Sequence, residues 1–127
     1  MNLLLIAIGG ALGSVSRYLS CEAITYFFRA QIFPWGVLFV NVFGSLLAGI
    51  LYYFMIKYFD IFNPKLKNLL LVGFLGGFTT FSAFCLDFFR LTTAGQYFQA
   101  FSYAGLSVTL AIAALFLGFY LTKLIFS

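Results

Sequence analysis

Histidine is absent from the sequence, which removes the commonest general base and the commonest metal ligand. Charge is scarce as well: 8% of the residues are charged, against about a quarter in an ordinary soluble domain, so there are too few polar side chains to coat a surface facing water. A secreted enzyme, a nucleic-acid binder and a disordered tail are excluded on that ground. Cysteine is limited to Cys21 and Cys85, which fall in apolar stretches at unrelated spacing. Neither a zinc site nor a disulfide framework is indicated, and both thiols are read as small buried apolar side chains.

What is abundant is hydrocarbon. Of the 127 residues 64% are apolar, and the mean hydropathy is +1.09. A membrane-crossing helix takes roughly 20 residues, so this length holds about four spans joined by short loops in a single domain, with no room for an extramembrane domain. The expected fold class is an all-α integral membrane protein of four transmembrane helices. Seven Lys and Arg against three Asp and Glu give a net charge of +4. The basic residues are scattered at the edges of the apolar runs, as juxtamembrane anchors are. They form no basic patch, so the lipid bilayer, and no nucleic acid, is the expected surrounding.

The first span is read from Asn2 to Phe28. The stretch MNLLLIAIGGALGSVSRYLS lacks a basic n-region and a small-residue cleavage site before Arg17, which favours a retained helix over a signal peptide. A loop with Arg29, Gln31 and Pro34 follows, and WGVLFVNVFGSLLAGILYYFMIKYF supplies a second span ending near Lys57, with aromatic anchors at both ends. The polar segment KYFDIFNPKLKN, containing Asp60, Pro64, Lys65 and Lys67, separates it from a third span, LLLVGFLGGFTTFSAFCLDFFR, ending at Arg90. TTAGQYFQ makes the last turn, and the fourth span runs from about Ala100 to Ile125.

Four spans put the N-terminus, middle loop and C-terminus on one side with Lys57, Lys65, Lys67 and Lys123, and leave Arg29 and Arg90 on the other. Positive residues set membrane orientation. So weak a bias permits insertion both ways and hence antiparallel pairing of identical subunits, a dual-topology homodimer.

Polar groups in hydrocarbon are costly unless they face a partner or a water-filled cavity. Those within the spans are Arg17, Glu22, Asn41, Thr79, Thr80, Ser82, Asp87, Tyr103, Ser107 and Thr109. Gly9 with Gly13, and Gly73 with Gly77, make G-x-x-x-G pairs that permit close helix approach. In the third span Gly76-Gly77 is followed by Thr79-Thr80 near the midpoint, where helix propensity is poorest, so a broken helix is expected there. Two readings of such a break stand side by side. One is a plain packing kink; the other is an ion site, in which freed carbonyls hold a cation or freed N–H groups and hydroxyls hold an anion. Phe81 and Phe84, three apart, share a helical face. In a chain with 19 phenylalanines that pair is ordinary packing, or its positive ring edges line a path for a small anion. In the second case Asn41 donates an amide N–H, and Tyr103 and Ser107 extend the donor path.

In order along the whole chain, GGALGSVSRY (Gly9 to Tyr18), VNVFGSLLAG (Val40 to Gly49) and GFLGGFTTFSAF (Gly73 to Phe84) resemble the CrcB, or Fluc, family of fluoride channels. The resemblance implies an antiparallel homodimer in the inner (plasma) membrane with two narrow fluoride pathways, passive and selective against chloride, through which accumulated fluoride leaves the cell. Residue by residue, it implies that Phe81 and Phe84 line the pathway, that Asn41 is its amide donor, and that Thr80 and Ser82 place hydroxyls beside it. Tyr103 and Ser107 match the start of a polar track on the fourth span. The backbone carbonyls of Gly76 and Thr79, two from each subunit, match the ligands of a buried structural sodium ion at the dimer centre.

The chain departs from the family pattern in places. Ala83 stands where the motif often has Thr or Ser, Asp87 where a Glu commonly follows, and Ala111 and Leu115 continue the Tyr103 and Ser107 face with apolar residues. Arg17 is either a positive vestibule that recruits anions or an interfacial snorkelling arginine. The rival reading is a small proton-coupled multidrug-type exporter, whose chemistry needs a membrane-embedded carboxylate. Glu22 is the only one in the first span, and it lies late in it. No enzymatic activity is expected.

Overall fold

A backbone in hydrocarbon must satisfy its own polar groups, so long apolar runs dictate helix. The computed structural model describes residues 2–29, 32–58 and 63–127; Gln31 and Asp60, named above in the loops, lie outside the described residues. Helix α1 spans Asn2–Phe28, α2 Trp35–Lys57 and α6 Tyr97–Phe126. Between α2 and α6 the run Pro64–Thr93 is built in pieces: α3 (Pro64–Lys67), a wider π-helical stretch (Asn68–Leu75), α4 (Gly76–Phe78) and α5 (Phe81–Thr93). These runs make four helical spans long and apolar enough to cross a membrane. The chain is an all-α, multi-pass membrane protein.

Local chemistry sets the starts and stops. Asn63 Oδ1 accepts from the Leu66 N–H at 2.9 Å, and Pro64 occupies the first turn, where its missing N–H costs nothing. The polar segment read as a loop is therefore helical from Pro64 onward. At the other end of the third span Gly95 takes φ 77°, a left-handed geometry that glycine adopts without strain, and the Gln96 N–H returns to the Leu91 carbonyl at 2.9 Å. That turn is complete by Gln96, so α6 begins at Tyr97 and not at Ala100.

Small residues bring the spans together. Gly9 and Gly13 face Gly73 and Gly77: a Cβ on Gly9 would strike the Leu69 carbonyl, one on Gly13 the Phe74 carbonyl, and one on Gly77 would lie 2.6 Å from the Gly10 carbonyl. The two G-x-x-x-G pairs thus form one close crossing of α1 and the third span. Helices α2 and α6 cross in the same manner, where added Cβ atoms on Gly49 and Gly118 would strike the carbonyls of Leu115 and Leu46. Leu38, Leu91, Ala100 and Tyr103 form a buried core, with Phe33, Phe84 and Phe88 packed on it. Many large apolar side chains point outward, Phe27, Phe98 and Leu124 among them, as suits a molecule whose solvent is lipid. The two cysteines differ from expectation: Cys21 is half-buried and Cys85 is exposed. A weakly polar thiol facing hydrocarbon costs little.

Candidate functional site

Between α4 and α5 the backbone of Thr79 (φ −89°, ψ 156°) and Thr80 (φ −151°, ψ 119°) is extended. Thr79 keeps its helical bonds: its N–H and its hydroxyl both donate to the Leu75 carbonyl, each at 2.9 Å. At Thr80 the ladder ends. Its N–H donates to Asn41 Oδ1 at 2.7 Å, while Asn41 Nδ2 donates to the Thr80 carbonyl at 3.0 Å. One side-chain amide on α2 thereby pairs with both backbone polar groups of one residue, as a neighbouring strand would. The Gly76 carbonyl, which accepts from the N–H four residues on in an unbroken helix, loses that partner to Asn41. The Thr80 side chain caps the next helix, its Oγ1 accepting from the Ala83 N–H at 3.2 Å and lying 3.3 Å from Ser82 Oγ. Gly44 makes room for this arrangement, since a Cβ there would run into the Thr79 methyl.

Two cavities flank these residues and share Thr79, Thr80 and Phe81 in their walls. The first, of about 260 Å³, lies toward α2 and α6 and adds Asn41, Ser45, Phe84, Ser107 and Ala111. Ser107 is 6% exposed, and its hydroxyl has no hydrogen-bond partner among the described residues. The second cavity, of about 330 Å³, lies toward α1 and adds Ser14, Arg17, Gly76, Gly77 and Ser82. There the buried Nε of Arg17 is likewise unpartnered among the described residues. Leaving such a donor unsatisfied costs on the order of 1–3 kcal/mol, so each cavity has beside it a buried polar atom whose hydrogen-bonding capacity is unused among the described residues.

The remaining residues separate into those that join this site and those that do not. The rings of Phe81 and Phe84 lie 5.6 Å apart between centroids. Phe84 packs on Tyr103 at 5.2 Å, whereas Phe81 is 75% exposed. Tyr103 is fully buried and stands behind Phe84, outside the Ser107 cavity; its hydroxyl donates to Asp87 Oδ2 at 3.2 Å. Asp87 Oδ1 in turn lies 3.4 Å from Arg90. Asp87 and Arg90 line a separate cavity of about 310 Å³ beside Cys21 and Pro34. Glu22 and Thr109 are exposed and line none of the three. Gly44 and Ser45 lie inside the VNVFGSLLAG motif, but neither is given a role by it. The spacing of Ser45 four residues after Asn41 is the one clue that the two share a face.

Over residues 4–119 the chain matches the family described as CrcB-like protein, Camphor Resistance (CrcB). It belongs to the CrcB family. The resemblance carried by the three motifs is borne out, and the exporter reading is not favoured. Among the relatives of this CrcB chain, the fluoride-specific ion channel FluC of Coxiella burnetii (strain Dugway 5J108-111) is 45% identical over 118 residues, covering 93% of this chain and 94% of its own. The protein of the same name from Hahella chejuensis (strain KCTC 2396) is 41% identical over 124 residues, covering 98% and 96%. That of Rhizobium meliloti (strain 1021) is 44% identical over 123 residues, covering 96% of each. The paired threonines and every residue of both flanking cavities fall inside the CrcB match.

Proposed function

We propose that this protein is a fluoride-selective passive ion channel of the inner (plasma) membrane, that it exports fluoride from the cell, and that it works as an antiparallel homodimer with two pathways. In this reading the third span acts as two half-helices joined at Thr79 and Thr80. The observation that carries it is the chemistry of the cavity between the threonines, α2 and α6. Its lining is neutral throughout, and its donors are the Asn41 amide, the unpartnered Ser107 hydroxyl and the edges of Phe81 and Phe84. Fluoride is small and strongly hydrated, so it enters a narrow pathway only where donors replace its water. A fixed full charge in the same place would bind it too tightly to release. The Asn41 amide nitrogen carries two hydrogens; one is held by the Thr80 carbonyl, and the other is free for an anion.

Arg17 contributes differently. In the second cavity its charge raises the local anion concentration at the mouth of the pathway, beside the hydroxyls of Thr80 and Ser82. Phe81 belongs to both cavities, so its ring is the wall an ion must pass between them. Tyr103, with its hydroxyl donated to Asp87, supports the Phe84 ring from behind.

The exposure of Phe81 and of Gly76 supports a second subunit, since a pathway wall open on one side needs a facing surface. The carbonyls of Gly76 and Thr79 suit a shared structural sodium ion: the Gly76 carbonyl has lost its helical partner and sits on that open face. When bound, such an ion neutralises converging carbonyl dipoles and ties the two subunits together.

Fluoride efflux from liposomes holding the purified protein, followed with an ion-selective electrode and repeated with chloride, tests the reading. Rapid fluoride loss with chloride retained is the expected result. Proton release on adding a lipophilic cation, abolished by Glu22→Gln, would replace the channel with the exporter.

A further inference from the structure

The cavity beside the paired threonines holds one polar side chain that the fluoride reading leaves without a role. Helix α6 faces this cavity with Ser107 and then Ala111, so its hydroxyls stop after one turn. Helix α2 faces it with Asn41 and then Ser45, again four residues apart. The glycine crossing fixes how the two helices are aligned. Gly49 sits against the Leu115 carbonyl, and one turn back on each helix brings Ser45 level with Ala111; a further turn brings Asn41 level with Ser107. All four of these residues line the same cavity.

Resting on the fluoride reading, we propose that the Ser45 hydroxyl is the next anion donor along the pathway after Asn41 and Ser107, taking on α2 the place that Ala111 leaves empty on α6. Ser107 lines the same cavity, and its hydroxyl is buried and unpartnered among the described residues, so donor capacity unused within the subunit adjoins the space that Ser45 borders. Ser45 follows Asn41 by about 6 Å along the helix axis, at about 1.5 Å per residue. An ion leaving the amide therefore meets a second neutral donor one turn on. Several weak sites in series let an anion enter without trapping it.

The test is fluoride efflux from liposomes for wild type, Ser45→Ala, Ser45→Ala with Ala111→Ser, and Ser45→Cys, with dimer recovery measured for each. Ser45→Ala is expected to slow flux about tenfold, the loss of one hydrogen bond to a charged partner. Ala111→Ser added to it is expected to restore most of the rate, because it returns a hydroxyl to the same level from the opposite helix. Where Ser45→Ala does not assemble, Ser45→Cys decides, since it keeps the volume and weakens the donor; reduced flux supports the proposal and unchanged flux overturns it. Wild-type rates in Ser45→Ala overturn it, and so does slow flux that Ala111→Ser does not rescue, which assigns Ser45 to packing. If the wild-type protein passes no fluoride, the channel reading itself falls and this donor with it.

Discussion

Asn41 pairs with both backbone polar groups of Thr80 and, in the proposed pathway, also donates to the anion, so a single substitution reaches both roles. Asn41→Asp replaces the nitrogen that donates to the Thr80 carbonyl with a second oxygen, which repels it. The expected outcome is loss of fluoride flux together with a destabilisation of about 1–3 kcal/mol, read as a lower melting temperature in detergent. A variant as stable as wild type would show the amide pairing to be dispensable. The two phenylalanines pull these effects apart. Phe81→Ile and Phe84→Ile both remove a ring edge and both slow flux. Within the subunit the Phe84 change costs more stability, by about 1 kcal/mol, because Phe84 packs on Tyr103 while Phe81 lies on the open side. Melting curves set beside efflux rates check the difference. Asn41 stands out in the sequence as a lone amide at membrane depth, whereas Phe81 and Phe84, two of 19 phenylalanines, are singled out only by the family resemblance. What Asn41 bonds to is not legible there, since Thr80 is 39 residues away and the pairing exists only once α2 and the third span dock. Ser45 is silent for the same reason: a serine in a helix acquires meaning from the cavity it faces.

Elements are more legible than contacts. Run length alone places α1 and α2, because hydrocarbon thickness leaves little choice of helix length. The start of the third span is missed because Asn63 and Pro64, which set it, lie outside the apolar run. Glycine spacing shows that α1 and the third span can approach closely. The α2 and α6 crossing gives no such pattern, since it uses one glycine from each helix. Its energetics are testable through two glycine-to-alanine changes of opposite sign. Gly49→Ala forces a Cβ into the Leu115 carbonyl and is expected to cost about 1–3 kcal/mol. Gly105→Ala, with nothing within 4 Å of the new methyl, is expected to gain about 0.5–1 kcal/mol from helix propensity. Melting temperatures that move in the same direction would refute this account of the crossing.

At the scale of the whole molecule the weak charge bias and the exposure of Phe81 are the two features behind the proposed second copy inserted the other way up. With Cys21 and Cys85 replaced, Ser127→Cys is expected to react with a membrane-impermeant thiol reagent from both faces of the membrane in comparable amounts. Labelling from one face alone would remove the antiparallel dimer, and the shared sodium ion with it.

Two extended residues between helices are ordinarily where a chain flexes. Here the peptide groups of Thr80 are clamped by Asn41, and its hydroxyl is engaged by the following turn. These bonds hold Thr80 in place, and its amide is expected to exchange hydrogen slowly although it lies outside any helix. In the channel proposed above, a joint locked in this way makes a standing exit, through which the outward gradient alone decides when the anion moves.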